Sequence, residues 1–486
     1  MGKVIKIERA RERRTEALIA GFREAMAEAG GSFEQQEAVA LSLANELVRD
    51  WTAEALHAIE RNFGDEVVVA GERYRRGSEG TIRYHTLCGP VAIRRAVYRQ
   101  VGVHNGPTVV PLDLRAGLWE NATPALAFSV TQGFATRPLR EYEREMEAAH
   151  REVPSRSTLE RIGKRIGAAI ETGLEETEPR IRAAEPFVEG VHSISIGLDR
   201  TTVPMAEVIP GAPIPEPRIR RRPAPVSVNY RMAYVGTVSL HDEDGEVLST
   251  KRFGATGQEG PDDIVERIGR ELNHQRARYD APISVIQDGA PELWTLIAAM
   301  SERHQIPIAD EVIDRYHVDE RLARICEFVF GGYAGTEELY ELWRHELDHS
   351  DTAIERIIKH LDALVWHSRF GVIDDDPAPT FWTARDVHTI RGEALVGIEG
   401  HLEYLRRNRR RIRYASRRRA GLPIGSGATE GACKSVVTVR FKRSGQRWFE
   451  SGVAPCLSLR ALHLSERLRP AFVRSSRART ARLDAA

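Results

Sequence analysis

Residues 192–199 read HSISIGLD. This short β-branched run breaks with the helical periodicity before it and marks the first strand of a sheet, ending at Asp199. Two further runs, YRMAYVGTVSL (230–240) and GEVLSTKRF (245–253), are separated by Asp242 to Gly245, a hairpin signature, so three antiparallel strands are expected. A helix over 262–278 follows, then the strand PISVIQD ending at Asp288, a helix over 291–302, the run IPIADEVID, and a helix carrying His317. In this β-β-β-α-β-α-β-α order the first and fourth strands lie side by side. Asp199 and Asp288, both at strand carboxyl ends, then converge.

Between the first two strands lies VIPGAPIPEPRIRRRPAP, whose six prolines exclude a central strand and suggest a surface flap that could meet DNA through Arg218 to Arg222. Residues 319–420 carry no strand signal. Amphipathic patterns such as Leu339, Leu342, Trp343 and Leu347, then Ile354, Ile357, Ile358 and Leu361, predict a helical insertion. Its exit packs nine arginines between Arg406 and Arg419 with no acidic residue among them. If helical, that stretch sets Arg406, Arg409, Arg410, Arg413 and Arg417 on one side as a ridge for a phosphate backbone; a solvated face is the simpler alternative.

Next comes GSGATEGACKSVVTVRFKRSGQRW, residues 425–448. A helix capped by Ser426 would align Glu430, Cys433, Val437 and Arg440 along one stripe. Lys434, Arg440, Lys442, Arg443 and Arg447 add five cations within 14 residues, which suits a polyanion. Glu430 has two readings. It complements the helix dipole and pairs with Lys434, or it is the third carboxylate of a metal site with Asp199 and Asp288. Three such carboxylates can hold two Mg²⁺ ions, with Mn²⁺ as a substitute, about 3.5–4 Å apart on a phosphodiester. Trp448 either closes the core or stacks on an exposed base beside Arg443 and Arg447. An apolar helix over 453–468 is expected to close the core, followed by a disordered, arginine-rich tail.

The amino-terminal part reads differently. Residues 1 to about 60 show helical periodicity (Leu41, Leu43, Leu47, Trp51, Leu56), read as an amphipathic helical pair. TIRYHTLC and VAIRRAVYRQV flank Gly89-Pro90 as a β-hairpin with one basic face, either solvated or on DNA. Three helical segments from Thr123 to Ile170 break near 133–138 and 153–154. The third, opening SRSTLERIGKRIG, exposes Arg156, Arg161, Lys164 and Arg165 as a helix-turn-helix recognition helix would. The acidic piece ETGLEETEPRIRAAEP reads as a linker.

Composition bounds the rest. The 486 residues hold 70 basic and 70 acidic side chains, so nucleic-acid binding must come from local clusters. The four cysteines are far apart, with no Cys-x-x-Cys pair, which argues against a zinc knuckle or a disulfide framework and for a reducing compartment. No signal-peptide core and no membrane-spanning run are seen, so a cytoplasmic protein with no membrane partner is expected.

SISIGLDRTTVP, VIQDGAPELW, VIDRYHVDERL and GLPIGSGATEGACKSVVTVRFKRSGQRW resemble the motif blocks of bacterial insertion-sequence transposases of the Asp-Asp-Glu class, in particular the ISKra-type branch. The likeness spans about 81–468, and the last block is its most specific part. It implies an α/β fold: an RNase H-like mixed-sheet catalytic core interrupted by an all-helical insertion, with an amino-terminal helical and β-hairpin DNA-binding region. Asp199, Asp288 and Glu430 match the catalytic, metal-binding carboxylates. Asp314 and His317 are similar to an Asp-x-x-His element of Mutator-like relatives that lies near the active site; a buried, satisfied histidine is the plainer reading of His317.

The implied organisation is 1–122, a helical and hairpin region; 123–187, a helix-turn-helix-like region and linker; 188–318, the first part of the core; 319–420, the insertion; 421–468, the second part of the core; and 469–486, a basic tail. The implied activity is binding of the element's terminal inverted repeats, followed by metal-dependent strand cleavage and transfer. The partners implied are double-stranded DNA, both transposon ends and target, and a second copy in a homodimer or higher oligomer on DNA. The protein would be cytoplasmic and nucleoid-associated when bound. Arg161, Lys164, Arg165, Arg406, Arg410, Arg413, Arg417, Lys434, Arg440, Lys442, Arg443, Arg447 and Trp448 are the DNA-binding candidates. Two departures from the family stand out: Gln100 and Val103 replace a Cys-x-x-Cys pair seen in relatives, and Gln446 replaces an apolar residue in SGQRW. The competing readings are a domesticated DNA-binding regulator without catalysis and a structure-selective nuclease on the same fold.

Overall fold

The computed structural model describes residues 16, 19–28, 31–211, 225–257, 259–331, 335–370 and 390–483. The chain forms two compact units, one from 1–181 with 466–486 and one from 182–465. The proline- and arginine-rich flap around Arg218 to Arg222 falls outside the described residues.

In the first unit, Ser32 caps a long helix, Phe33–Arg61, by a reciprocal exchange with Gln35. An antiparallel meander follows: β1 (Glu66–Val69), β2 (Glu72–Thr86), β3 (Gly89–Gln100) and β4 (Thr108–Val109). The sequence places the β2–β3 turn at Gly89-Pro90, but the chain turns earlier. Thr86 pairs with Gly89, and the Thr86 hydroxyl accepts from the Cys88 amide and donates to the Gly89 carbonyl, closing a loop at Leu87-Cys88.

Helices Pro124–Thr136, Leu139–Ala148 and Arg156–Thr172 occupy the three expected segments. They pack closely because two glycines admit aromatic rings: a Cβ on Gly133 would lie 2.4 Å from Tyr142, and one on Gly163 would lie 2.6 Å from Phe134. The acidic piece read as a linker contains a helix, Leu174–Ala183.

The tail read as disordered forms another helix, Leu468–Thr480. Leu468, Ala471 and Phe472 recur at helical spacing and are buried; Phe472 packs on Phe128 with ring centroids 5.3 Å apart, and Leu483 bridges to Val69. Two of its four arginines lie over aromatic faces, Arg479 over Trp119 at 4.6 Å and Arg469 over Phe128 at 4.9 Å.

The second unit is built on a five-stranded sheet ordered β7-β6-β5-β8-β9, with β5 (Ser193–Val208), β6 (Val226–His241), β7 (Val247–Thr256), β8 (Ile283–Gln287) and β9 (Asp310–Ile313). β5, β6 and β7 are antiparallel, and β8 and β9 run parallel to β5. Helices Gly260–Arg276 and Pro291–His304 lie between β7, β8 and β9 in the chain, and Ile264, Ile268, Leu293 and Ile297 join Ile194, Ile196 and Leu198 in one buried core.

One expectation is corrected. β5 does not end at Asp199 but continues to Val208, because β6 pairs with it along its whole length after β8 has ended at Gln287. Asp199 therefore lies in mid-strand, at the level where the β8 edge becomes open. Asp288 does follow the last residue of its strand.

Helices Arg315–Phe330, Gly335–His349, Ala353–Phe370 and Glu393–Asn408 form the insertion, burying Leu339, Trp343, Leu347, Ile354, Ile357 and Leu361, whereas Leu342 is exposed. The chain then returns to the sheet through helix Gly427–Ala432, a π-helical turn Cys433–Thr438, the short helix Val439–Phe441 and helix Glu450–Leu464. No helix among the described residues is long and apolar enough to cross a membrane.

Two alanine substitutions should move stability in opposite directions. Gly163→Ala forces a methyl into the Phe134 ring and should cost about 1–3 kcal/mol. Gly400→Ala, on a helix with nothing within 4 Å of the new Cβ, should add about 0.5–1 kcal/mol. Denaturant titration of the two variants checks both signs.

Candidate catalytic site

The site begins with register. In the parallel pair, Ile194 is opposite Ile283, Ser195 opposite Ser284 and Ile196 opposite Val285. Carried on by three residues, the same register sets Asp199 level with Asp288 on neighbouring strands. Strand neighbours lie about 4.8 Å apart, and residues opposite one another in register share a sheet face. Each carboxylate has one oxygen fixed by a nearby backbone amide: Arg200 N donates to Asp199 at 2.7 Å and Ala290 N donates to Asp288 at 2.8 Å.

The third element reaches that face by close approach. Thr429 presses into the space a side chain would fill at Gly197, where a Cβ would be 2.0 Å from the Thr429 Oγ1 and 3.0 Å from the Ile286 carbonyl oxygen. Thr429 also shares a 2.7 Å hydrogen bond with Thr237 on β6. Helix Gly427–Ala432 is thereby held over β5 and β6, and Glu430 is the next residue along. One turn further, burial, followed by the charge of the Asp199 carboxylate and, less strongly, that of Glu430, pushes the Cys433 thiol up.

Glu430 itself is about half exposed and pairs with Lys434 at 2.8 Å, the helix-surface alternative expected of it. Among the described residues, no three His, Cys, Asp or Glu side chains form a ready metal cage. Carboxylate oxygens are the donors a hard divalent cation takes, and the β5–β8 register puts Asp199 and Asp288 at one level of the sheet, while Glu430 is held by Lys434.

Asp314 and His317 differ in role. Asp314 is buried at the start of helix Arg315–Phe330 and accepts from Tyr316 N and Ser426 N, each at 2.7 Å, and from the Ser426 hydroxyl. Its own amide donates to the Gln287 carbonyl at 3.0 Å. One residue thus ties the end of β8, beside Asp288, to the cap of the helix bearing Glu430. Ser426 caps that helix position without using its side chain on the helix. His317 is not buried: it stands half exposed, 3.8 Å from Glu320 and edge-on to Tyr316.

Several cations predicted to meet DNA are committed elsewhere. Arg440 is buried, with its guanidinium 4.5 Å over the Trp448 ring. Trp448 packs edge-on to Phe441 at 4.9 Å, and its carbonyl accepts from Ala206 N at 2.7 Å, which fits the core-closing reading. Lys442 donates to Thr201 Oγ1 at 2.5 Å, two residues beyond Asp199. Arg443 reaches back to the Val439 carbonyl at 3.1 Å, and Arg447 is exposed.

The single arginine ridge is also corrected. Helix Glu393–Asn408 ends, a 3-10 turn takes Arg409–Arg411, and a new helix starts at Tyr414, so the five arginines do not share one side. Carboxylates from other segments answer part of the charge: Arg406 pairs with Asp362, Arg411 with Glu311 at 2.7 Å, and Arg418 with Asp348 at 3.4 Å. Arg417 is buried against Asp310 at 2.6 Å and the Pro423 carbonyl. Arg407, Arg409, Arg410 and Arg413 are exposed with no ion pair among the described residues.

In the other unit, the exposed side of helix Arg156–Thr172 carries the expected cations, each matched to a carboxylate: Arg156 to Glu143 at 2.9 Å, Arg161 to Glu120 at 3.1 Å, Lys164 to Glu160 at 2.6 Å and Arg165 to Glu120 at 3.8 Å. Such surface pairs are weak enough for a polyanion to displace.

Sequence reasoning missed Tyr404. Its ring would collide with a Cβ on Gly289 at 2.4 Å, it stacks under Arg321 at 4.7 Å, and burial, then the charge of Asp288, pushes its phenol up to about 12. The insertion thus walls the side of Asp288. No local motif announces Tyr404; Gly289 immediately after Asp288 was the available signal.

No family model matches the chain, and no curated protein matches it. Among solved structures, the chain is similar to the "Drosophila P element transposase strand transfer complex" at 12% identity and a TM-score of 0.32, over 71% of this chain and 92% of that one. At that distance neither fold nor function follows.

The Thr429 contact is directly testable. Gly197→Ala should lift the Glu430 helix off the sheet and cost about 1–3 kcal/mol, while Gly427→Ala, with nothing within 4 Å of its Cβ, should leave stability within about 0.5 kcal/mol. Equal effects in thermal denaturation would contradict the docking.

Proposed function

We propose that this chain is a DNA transposase of the Asp-Asp-Glu class, of the ISKra type, with an RNase H-like second unit. The observation that carries the reading is the β5–β8 register, which sets Asp199 level with Asp288 on the face where the Thr429 contact docks the Glu430 helix. Asp199, Asp288 and Glu430 would hold Mg²⁺ or Mn²⁺, which when bound activates a water or a 3′-hydroxyl towards a phosphodiester. The chain's own residues prepare that site. Backbone amides orient Asp199 and Asp288, Asp314 fixes the start of the Glu430 helix, and Lys434 neutralises Glu430 until it is recruited. The substrate is double-stranded DNA, at the terminal repeats and the target. A DNA-binding regulator without catalysis is the second reading, favoured by the Glu430–Lys434 pair.

Nicking of a labelled terminal-repeat duplex decides between them. Asp199→Asn and Asp288→Asn should each abolish Mg²⁺-dependent cleavage, with DNA binding within a few-fold of the parent. Glu430→Gln should do the same, and Lys434→Gln should retain cleavage. A parent chain that binds the duplex yet never cuts it supports the regulator instead.

The unpaired arginines supply the DNA path in this reading. Replacing Arg407, Arg409, Arg410 and Arg413 with Gln should flatten the slope of log affinity against log salt by roughly three to four units, at about 0.9 per phosphate contact. Arg417→Gln should instead lower stability, because its guanidinium is buried against Asp310. An unchanged slope in the folded quadruple variant would place the DNA elsewhere.

A further inference from the structure

The helix Phe33–Arg61 has two distinct faces. One binds its own unit: Arg49 donates to the Cys88 carbonyl at 2.8 Å, Asn45 to the His150 carbonyl at 2.7 Å, Leu56 is buried, and Glu60 accepts from Ala96 N at 2.8 Å. The other is apolar and open. Leu41, Ala44, Val48, Trp51, Ala55 and Ala58 follow one another at alternating steps of three and four, the heptad spacing of a helix that pairs with another helix. Val48 is 46% exposed and Trp51 68%, values far outside those of a core face. Leu47, at 39%, and Phe33, at 79%, widen the same surface. Single exposed apolar residues are ordinary, but a continuous seam at heptad spacing is not.

We propose that this seam pairs with the same seam of a second copy, antiparallel about a two-fold axis. Self-complementarity identifies the occupant. In an antiparallel arrangement centred between residues 49 and 50, Leu41 lies opposite Ala58 of the second copy, Ala44 opposite Ala55, and Val48 opposite Trp51. The largest side chain thus meets a mid-sized one, flanked by layers of alanine, and each layer occurs twice, as a two-fold axis demands. The ends agree as well: the helix starts acidic, with Glu34 and Glu37, and ends at Arg61, so Glu37 approaches Arg61 of the second copy at both ends. A parallel pairing would instead set Trp51 on Trp51 and Glu37 on Glu37. The inference is independent of the proposed catalytic activity.

The test is the oligomeric state of the full chain without DNA. Sedimentation equilibrium should give a dimer for the parent and a monomer for Val48→Glu/Trp51→Glu, with unchanged circular dichroism, since both positions are exposed, and with a melting temperature that no longer rises with protein concentration. The four natural cysteines are all buried, which makes a cross-link readable. Leu41→Cys/Ala58→Cys should form a covalent dimer under mild oxidation. Leu41→Cys alone should not, because the two Leu41 positions lie about 25 Å apart along an antiparallel pair. A parent that stays monomeric at every concentration, a double-Glu variant that remains a dimer, or efficient cross-linking through Leu41→Cys alone would overturn the proposal.

Discussion

The contact on which the second unit depends is the approach of Thr429 to Gly197. The sheet alone provides two aspartates at one level; it does not provide a third group. Only a residue without a side chain on β5 leaves room for the Thr429 side chain, next to Glu430 in the chain, and Gly197 sits two residues before Asp199, on the same side of the strand. The hydroxyl of Thr237 on the next strand completes the seat. Register and close packing therefore cooperate: the first sets the level and the second sets the height.

The insertion contributes through its ends. Between β9 and Gly427 the chain leaves the sheet for about a hundred residues, yet its departure and return are stitched together. Asp314 accepts from Ser426, Arg315 N donates to the Ile424 carbonyl at 3.1 Å, and the Tyr414 hydroxyl donates to the Ile313 carbonyl at 2.9 Å. A buried carboxylate with three donors is worth its desolvation only when all three are kept. That requirement makes the return path of the chain specific, and with it the position of Glu430. Tyr404 adds a wall beside Asp288, so the insertion also shapes the site it interrupts.

Much of this was legible in the sequence because it depends on local pattern. The alternation in HSISIGLD, the hairpin at Asp242 to Gly245 and the strand before Asp288 all announce themselves within a few residues, and the strand and helix order follows. What was not legible depends on partners far away in the chain. β5 runs past Asp199 because β6 continues to pair with it. The arginines from 406 to 419 do not form one ridge, because the helix ends at Asn408 and restarts at Tyr414, and Asp310, Glu311, Asp348 and Asp362 claim four of them. The tail orders because three apolar residues among its arginines match a face of the amino-terminal unit to which it belongs. Asp314 looked like a neighbour of the site, and its hydrogen bonds make it a tie between two of the site's elements.

The central claim is that Asp199, Asp288 and Glu430 belong to one metal centre. Its most direct measurement substitutes Fe²⁺ for Mg²⁺ and maps, by mass spectrometry, where locally generated hydroxyl radicals cut the polypeptide. The account predicts cuts clustered at three separated points of the sequence, around 199, 288 and 430, competed away by excess Mg²⁺ and lost together in Asp199→Asn. Cuts confined to other segments, or cuts at 199 and 288 with none near 430 even on bound DNA, would contradict it.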